Sequence, residues 1–345
     1  MTSPVFDLPH RLEASAPPAR RDAVRLLVAG PGRLQHARFD RIGDFLEPGD
    51  LVVVNTSGTL SAAVDGVRDT GGRVTVHFAT ALDGGDWVVE VRPARRAQGP
   101  VGDLRVGERV TLPDGVVLTV LAAHPAGQRR LWRARVPVDG GVVAYLARVG
   151  RPIRYGYVPG RYPAAAYQTV FAREPGSAEM PSAGRPFTAE IVTELVTRGI
   201  GVSPVLLHTG VSSPEAGEPP QPERFRVDAV TARAVNTTRA WGGRIVGVGT
   251  TVTRALESAV DADGIVRAAQ GWTDLVLGPD RPARVVDGLV TGWHAPGASH
   301  LQLLQAVAGA ELVESAYAEA RRAEYLWHEF GDSCLLLPER RIADA

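Results

Sequence analysis

The stretch Arg244-Ile-Val-Gly-Val-Gly-Thr-Thr-Val-Thr-Arg-Ala-Leu-Glu-Ser258 decides the fold. Its opening, Arg244 to Val248, reads as a buried strand. Gly249, Thr250 and Thr251 form a small turn rich in hydroxyls, and a helix carrying Arg254 and Glu257 follows. A strand that feeds a helix through such a turn gathers backbone N–H groups and hydroxyls at the positive end of the helix dipole, which suits the carboxylate or ribose of a small ligand. An ordinary β–α connection has the same outline. The turn is neither a G-x-G-x-x-G fingerprint nor a P-loop, because no Gly-Lys-Ser/Thr follows it.

Around this element the chain alternates between helical and strand patterns from about residue 141 onward. Val142 to Val149, ending at Gly150, reads as a helix. Thr188 is placed to cap a helix with an apolar face of Ile191, Val192, Leu195 and Val196, stopped by Gly199. Val202 to His208 looks like a strand broken early by Pro204. Val230, Ala234, Val235 and Trp241 mark one face of another helix, ended by Gly242. Ser299 caps an element with Leu301, Leu303, Leu304 and Val307 that ends at Gly309, and a last helix is expected from Glu311 to about Trp327. Such alternation predicts an α/β domain. Residues 211–223, with four prolines, read as a surface loop.

Residues 64–137 have a different pattern. Arg73-Val-Thr-Val-His-Phe78, Trp87-Val-Val-Glu-Val91 and Leu131-Trp-Arg-Ala-Arg-Val136 are short and β-rich, and Asp114-Gly115 sits between two β-branched runs as a hairpin turn. Short strands with turn signals and no helical period predict a small β-barrel.

Composition sets the limits. A chain of 345 residues, with hydrophobic residues at 44% and charged residues at 22%, is long enough for two domains and ordinary for a globular protein. It has no long apolar run, and Met1 to Arg25 lacks the apolar core of a signal peptide, so a cytoplasmic protein away from membranes is expected. The single cysteine, Cys334, excludes an internal disulfide and a cysteine-based zinc site, and its apolar surroundings read as core. Net charge is +0 and all 38 basic residues are arginine, a bias that a GC-rich genome explains. Arg92, Arg95 and Arg96, with Arg129, Arg130, Arg133 and Arg135, are the densest basic candidates for phosphate contacts; a solvated face is the plainer reading.

Two further stretches flank the strand–turn–helix: Tyr167-Gln-Thr-Val-Phe-Ala-Arg-Glu-Pro-Gly-Ser-Ala-Glu-Met-Pro-Ser-Ala-Gly-Arg-Pro-Phe-Thr188 and Val285-Val-Asp-Gly-Leu-Val-Thr-Gly-Trp-His-Ala-Pro-Gly-Ala-Ser-His-Leu301. Together, and with Phe45-Leu-Glu-Pro-Gly-Asp-Leu-Val-Val-Val-Asn55, Trp87 to Arg96 and Phe330-Gly-Asp332, they resemble the S-adenosylmethionine:tRNA ribosyltransferase-isomerase family of queuosine biosynthesis. The resemblance spans about residues 40–337 and implies an α/β main domain, residues 1–63 and 138–345, interrupted by an inserted all-β, barrel-like domain, residues 64–137.

It also implies an activity. Members of the family use S-adenosyl-L-methionine as a ribosyl donor toward 7-aminomethyl-7-deazaguanine in tRNA, forming epoxyqueuosine and releasing adenine and methionine, with no metal. Such a site needs a base, a proton donor for the leaving adenine, a grip on the methionine carboxylate and exclusion of water. By matching position, His208, His294, Glu174 and Glu257 are the catalytic candidates. Gly249, Thr250, Thr251, Arg254, Ser182 and Gly184 are candidates for the donor, and Arg185, Asn55, Glu223 and Asp287 for the acceptor. The plainer readings are that a histidine at a strand end orients a loop, that Glu257 pairs with Arg254 at i,i+3, and that Asp332 is a turn residue.

The chain also departs from the family pattern. Ser182-Ala-Gly-Arg-Pro-Phe-Thr188 stands for Thr-Ala-Gly-Leu-His-Phe-Thr, Asn55-Thr-Ser-Gly58 for Asn-Asp-Thr-Arg, and Gln221-Pro-Glu223 for His-Ser-Glu. The run Thr291 to Ser299 lacks an asparagine and a lysine. The expectation is therefore a divergent member, monomeric, acting on tRNA. The alternatives are a paralogue that passes the same donor to another acceptor, such as a small molecule, and an inactive homologue that binds ligand or RNA.

Overall fold

A computed structural model describes residues 6–94, 99–211, 220–297 and 300–339. The amino-terminal part holds β1 (Arg25–Gly30), β2 (Arg33–Arg38), β3 (Leu51–Asn55) and β4 (Ser57–Thr59). Next come β5 (Ala63–Arg68), β6 (Arg73–Ala81), β7 (Trp87–Pro93), β8 (Arg109–Thr111), β9 (Val117–His124) and β10 (Leu131–Arg135). Helix α1 (Val142–Val149), β11 (Glu174–Ser177), α2 (Ala189–Thr197), β12 (Gly201–Leu207), β13 (Glu223–Val227) and α3 (Ala229–Ala240) lead to β14 (Ile245–Val248) and α4 (Thr250–Ser258). The chain closes with β15 (Ala269–Thr273), β16 (Gly288–Gly292), α5 (His300–Ala308), α6 (Ala310–Arg322) and β17 (Ser333–Leu336).

Nine strands form one mixed sheet in the order β15-β13-β12-β3-β14-β16-β17-β1-β2. Its centre is parallel, β12 to β3, β3 to β14 and β14 to β16, and antiparallel pairs flank it. Helices cover both faces, which is why Leu51–Asn55 and Ile245–Val248 read as unbroken apolar runs. The pleat sends Leu51 and Val53 into a core shared with α3, α4, α5 and α6, and Val52 and Val54 into a second core with Ile191 and Leu195 of α2. Buried Asp50 pins the start of this layer, accepting from the Arg244 backbone N–H at 2.9 Å and from its guanidinium at 2.6 Å.

Strands β10-β7-β6-β5-β8-β9 close into a barrel packed with Val64, Val76, Phe78, Val89, Leu118 and Val120. The expected α/β body with an all-β barrel is therefore the architecture found. Asp114 takes φ 60° in the turn between the antiparallel β8 and β9. Of the arginines singled out, Arg92 and Arg130 pair with buried Glu90, and Arg133 and Arg135 flank Asp86; Arg95 and Arg96 lie outside the described residues.

Several sequence expectations need correction. Pro204 does not break β12: in the parallel register it faces Val54, and β13 pairs only with Leu206 and Leu207, so the missing N–H falls where no strand asks for it. The buried face of α3 is Thr231, Ala232 and Val235, while Val230 (66% exposed) and Trp241 (86%) face solvent. Val196 is likewise outside the face that α2 buries, although Thr188 does cap that helix through Ile191 N–H at 3.3 Å. The last helix stops at Arg322, and Trp327 belongs to the loop beyond it, which takes positive φ at Glu324 (53°) and His328 (71°). The Ser299 cap and most of the proline-rich loop, residues 212–219, lie outside the described residues.

Candidate active site

A cavity of about 360 Å³ opens at the carboxyl ends of β12, β14 and β16. Parallel sheets bind ligands at this edge, where connections leave in opposite directions; here the chain places β12 on one side of β3 and β14 on the other. Gly249, Thr250 and Thr251 form part of its wall, with Arg254, Glu223, Ser182 and His294. Gly249 has φ 90° and ψ 161°, a backbone that L side chains rarely adopt, and an added Cβ would come within 3.3 Å of the Ala183 side chain. Its N–H donates to the Val290 carbonyl at 2.8 Å, tying the turn to β16. No side chain caps α4 and no acid sits in its first turn, so the positive end of its dipole is left to the cavity.

A buried polar network sets the position of that turn. Asn55, at the end of β3, donates from Nδ2 to the Leu207 carbonyl at 2.8 Å and to Thr251 Oγ1 at 3.2 Å. Its Oδ1 accepts from the Ser57 and Leu207 N–H groups at 3.0 and 3.1 Å. Ser57 continues the network to Ser177 Oγ at 2.6 Å and to His208 Nδ1 at 2.7 Å.

Arg254 is anchored rather than free. Nε donates to the Leu275 carbonyl at 3.1 Å, Nη2 to those of Thr273 and Gln221, and Nη1 to Glu223. Burial pushes the Glu223 carboxyl above its usual range even with Arg254 beside it. The same cavity holds a histidine pair: His294 and His300 stack with centroids 4.5 Å apart and planes 2° from parallel. Burial holds His294 well below its ordinary value, with His300 and His328 adding to the effect, and burial lowers His300 to about 4. Both are neutral imidazoles at pH 7. The Thr291 hydroxyl donates to the Gly292 carbonyl at 3.1 Å, so its 3.1 Å contact with His294 is best satisfied by Nε2–H as donor, which leaves Nδ1 with the lone pair.

Seven of the residues expected at the site lie outside the cavity lining. His208 follows β12, and alternation points it away from Thr209, which does line the cavity. Its ring packs where a Cβ on Gly176 would come within 2.3 Å, and burial lowers its pKa despite Glu174, 3.9 Å away. Glu174 is itself bound to Arg226 at 2.8 Å. Glu257 does not pair with Arg254; its carboxylate accepts the N–H groups of Arg284, Val285 and Val286 at 2.8 to 3.0 Å. Asp287 accepts from Ile245 N–H at 2.9 Å, at the opposite end of the parallel strands. Arg185, 4% exposed, donates to the Ala166 carbonyl and lies over the Phe330 ring, and burial lowers its pKa to about 10. Gly184 packs on Thr169, and Asn55 acts through Thr251. Asp332 is no mere turn residue: it accepts from the backbone N–H groups of Arg25 and Leu326 at 2.8 Å.

The cavity also contains residues that sequence reasoning missed. Tyr155, Tyr157, Glu179, His300, His328 and Glu329 line it, as does Arg130 from the barrel. The only local signal was the spacing of His294 and His300 around a proline-glycine turn. Among the described residues, no group of three histidine, cysteine or acidic side chains is placed to hold a metal ion.

A family model described as a queuosine biosynthesis protein matches residues 2–336. The S-adenosylmethionine:tRNA ribosyltransferase-isomerase of Symbiobacterium thermophilum is 36% identical, with 96% of this chain and 98% of that one covered. The enzyme of the same name from Moorella thermoacetica is 37% identical over the same shares. The crystal structure of S-adenosylmethionine tRNA ribosyltransferase from Thermotoga maritima superposes with a TM-score of 0.53 at 27% identity, covering 96% of this chain and 99% of that one.

The geometry makes two predictions. Asn55→Ala strands the buried Leu207 and Ser57 N–H groups and should cost about 2–4 kcal/mol in chemical denaturation. A loss below 1 kcal/mol would mean that the network is dispensable. Because His300 has its pKa depressed from 6.5 to about 4, the unfolded chain binds that proton first as pH falls, and stability is lost between those values. Melting curves of His300→Gln across that window should be flatter than those of the parent; an unchanged slope would contradict the burial.

Proposed function

The chain belongs to the queuosine biosynthesis protein family, and we propose that it transfers and isomerises the ribosyl group of S-adenosyl-L-methionine onto 7-aminomethyl-7-deazaguanine in tRNA, giving epoxyqueuosine. The observation that carries this reading is the uncapped amino end of α4, which lines the same cavity at the sheet's carboxyl edge as a neutral histidine. When bound, S-adenosyl-L-methionine supplies the ribosyl group together with a sulfonium that acidifies the adjacent C5′ hydrogens, and adenine and methionine are the fragments left over.

The residues present fit such a ligand. A cavity of about 360 Å³ lies within the range that holds molecules of this size. The first-turn amides of α4, with the Thr250 and Thr251 hydroxyls, would take the amino-acid carboxylate. No acid opposes it there, and Asn55 fixes Thr251 from behind. Arg254, neutralised by Glu223, shapes this wall by holding the strand at Thr273 and the loop at Gln221. His294 is the proposed proton acceptor, since its neutral ring is held by Thr291 with Nδ1 carrying the lone pair. Glu223 accepts from Arg254 and from the Gly210 N–H and so belongs to the same wall as an ionised carboxylate.

The altered run Ser182–Thr188 weighs less against tRNA than its sequence does, because Arg185 is buried beside Phe330 rather than presented to a ligand. A paralogue with a small-molecule acceptor is therefore the lesser reading. We further take residues 64–137 as the inserted domain, within which most of the barrel falls, and residues 1–63 and 138–345 as the main one. The proposed reaction uses no metal and takes place in the cytoplasm on a monomer.

The test is mass spectrometry for adenine and methionine after incubation with S-adenosyl-L-methionine, with and without tRNA carrying the 7-deazaguanine precursor. Release that depends on the tRNA supports the proposal, and binding of the donor without release would sink it. The acid limb of the pH–rate profile should lie below pH 6.5, because activity needs neutral His294 and burial lowers its pKa. A limb at or above 6.5 would remove His294 from that role.

A further inference from the structure

Two tyrosines on the segment that returns from the barrel line the cavity, each holding a carboxylate. The Tyr155 hydroxyl donates to Glu179, and the Tyr157 hydroxyl donates to Glu329 Oε2 at 2.5 Å. The Tyr157 ring lies between two others: Tyr155 at 5.8 Å and 21°, and His328 at 4.0 Å and 13°. Three stacked rings thus form one wall, with carboxylates fixed along it. Nothing in the donor-binding reading uses this wall.

Stacked aromatic rings receive nucleobases, because every base has a π face, and recognition of an unstacked base combines stacking with hydrogen bonds to its Watson–Crick edge. A carboxylate only accepts hydrogen bonds. The edge that fits it has two donors side by side, which a guanine-type base offers as N1–H and the 2-amino group. Adenine offers one donor beside the N1 lone pair, which a carboxylate repels.

We propose that this wall is the acceptor-base subsite, with Tyr155 as the stacking surface and Glu329 as the residue that reads N1–H and the 2-amino group of a guanine-type base. The inference rests on the reaction proposed above and adds its acceptor specificity. It gives the cavity a means of keeping two purines apart: the leaving adenine is rejected by the carboxylate that holds the deazaguanine. Tyr157 acts behind Glu329 as a positioning residue. Burial, the Glu329 charge and the bond between them keep its hydroxyl protonated, so that it always donates to Oε2 and fixes the carboxylate.

The experiment uses the full chain, S-adenosyl-L-methionine and two tRNAs, one bearing 7-aminomethyl-7-deazaguanine and the other its counterpart without the 2-amino group. Kd and adenine release are measured for each. The parent should disfavour the second tRNA by about tenfold or more, since an unfilled acceptor is left behind. Glu329→Gln should raise KM for the first tRNA about tenfold and shrink the discrimination between the two, with donor affinity unchanged as the check on folding. Equal handling of the two tRNAs by the parent overturns the subsite without need of any variant, as does a Glu329→Gln protein that keeps the parent's discrimination. Discrimination in binding without adenine release would overturn the reaction and keep the subsite. Release without discrimination would do the reverse.

Discussion

The site depends on the side chain of Asn55. It is buried at the end of β3, and its amide spends both donors and its acceptor oxygen on the ends of two neighbouring strands and the start of α4. A buried amide satisfied in this way is costly to disturb, because each broken bond strands a group away from water. One residue therefore sets the height of β12 against β3 and, through Thr251, the place of the helix amino end that faces the cavity. Ser57, Ser177 and His208 extend the network toward β4 and β11. His208 thus belongs to the polar network behind the cavity.

Other parts of the cavity wall come from the barrel and from the segment that follows α1. Arg130, just before β10, and the segment with Tyr155 and Tyr157, just after α1, reach the same space as the β14–α4 turn. Asp83, between β6 and β7, is bound to Arg224 and to the Trp272 indole on the outer strands of the large sheet, so the barrel is held against that edge. The amino end of α4, the neutral histidines, the carboxylates and the stacked rings all line that cavity.

Much of the fold was legible in the sequence. Continuous apolar runs marked the parallel centre, β-rich stretches marked the barrel, and Gly249 marked the turn that only a positive φ allows. Thr250, Thr251 and His294 line the cavity because they follow the ends of parallel strands, and Glu223 because it opens the antiparallel β13 beside β12. What failed was orientation. A strand end does not reveal which of His208 and Thr209 points inward. Glu257 looks catalytic, and Asp287 a ligand contact, until the backbone N–H groups they accept from are known. Tyr155, Tyr157 and Glu329 escaped notice because their partners lie 24 to 172 residues away, beyond any local pattern.

The most direct measurement is a crystal structure of the chain soaked or grown with S-adenosyl-L-methionine. The account predicts the amino-acid carboxylate within hydrogen-bond distance of the amides at Thr250 and Thr251, with the ribose toward His294 and the adenine away from Glu329. A donor bound with its carboxylate elsewhere, or outside this cavity, would contradict it.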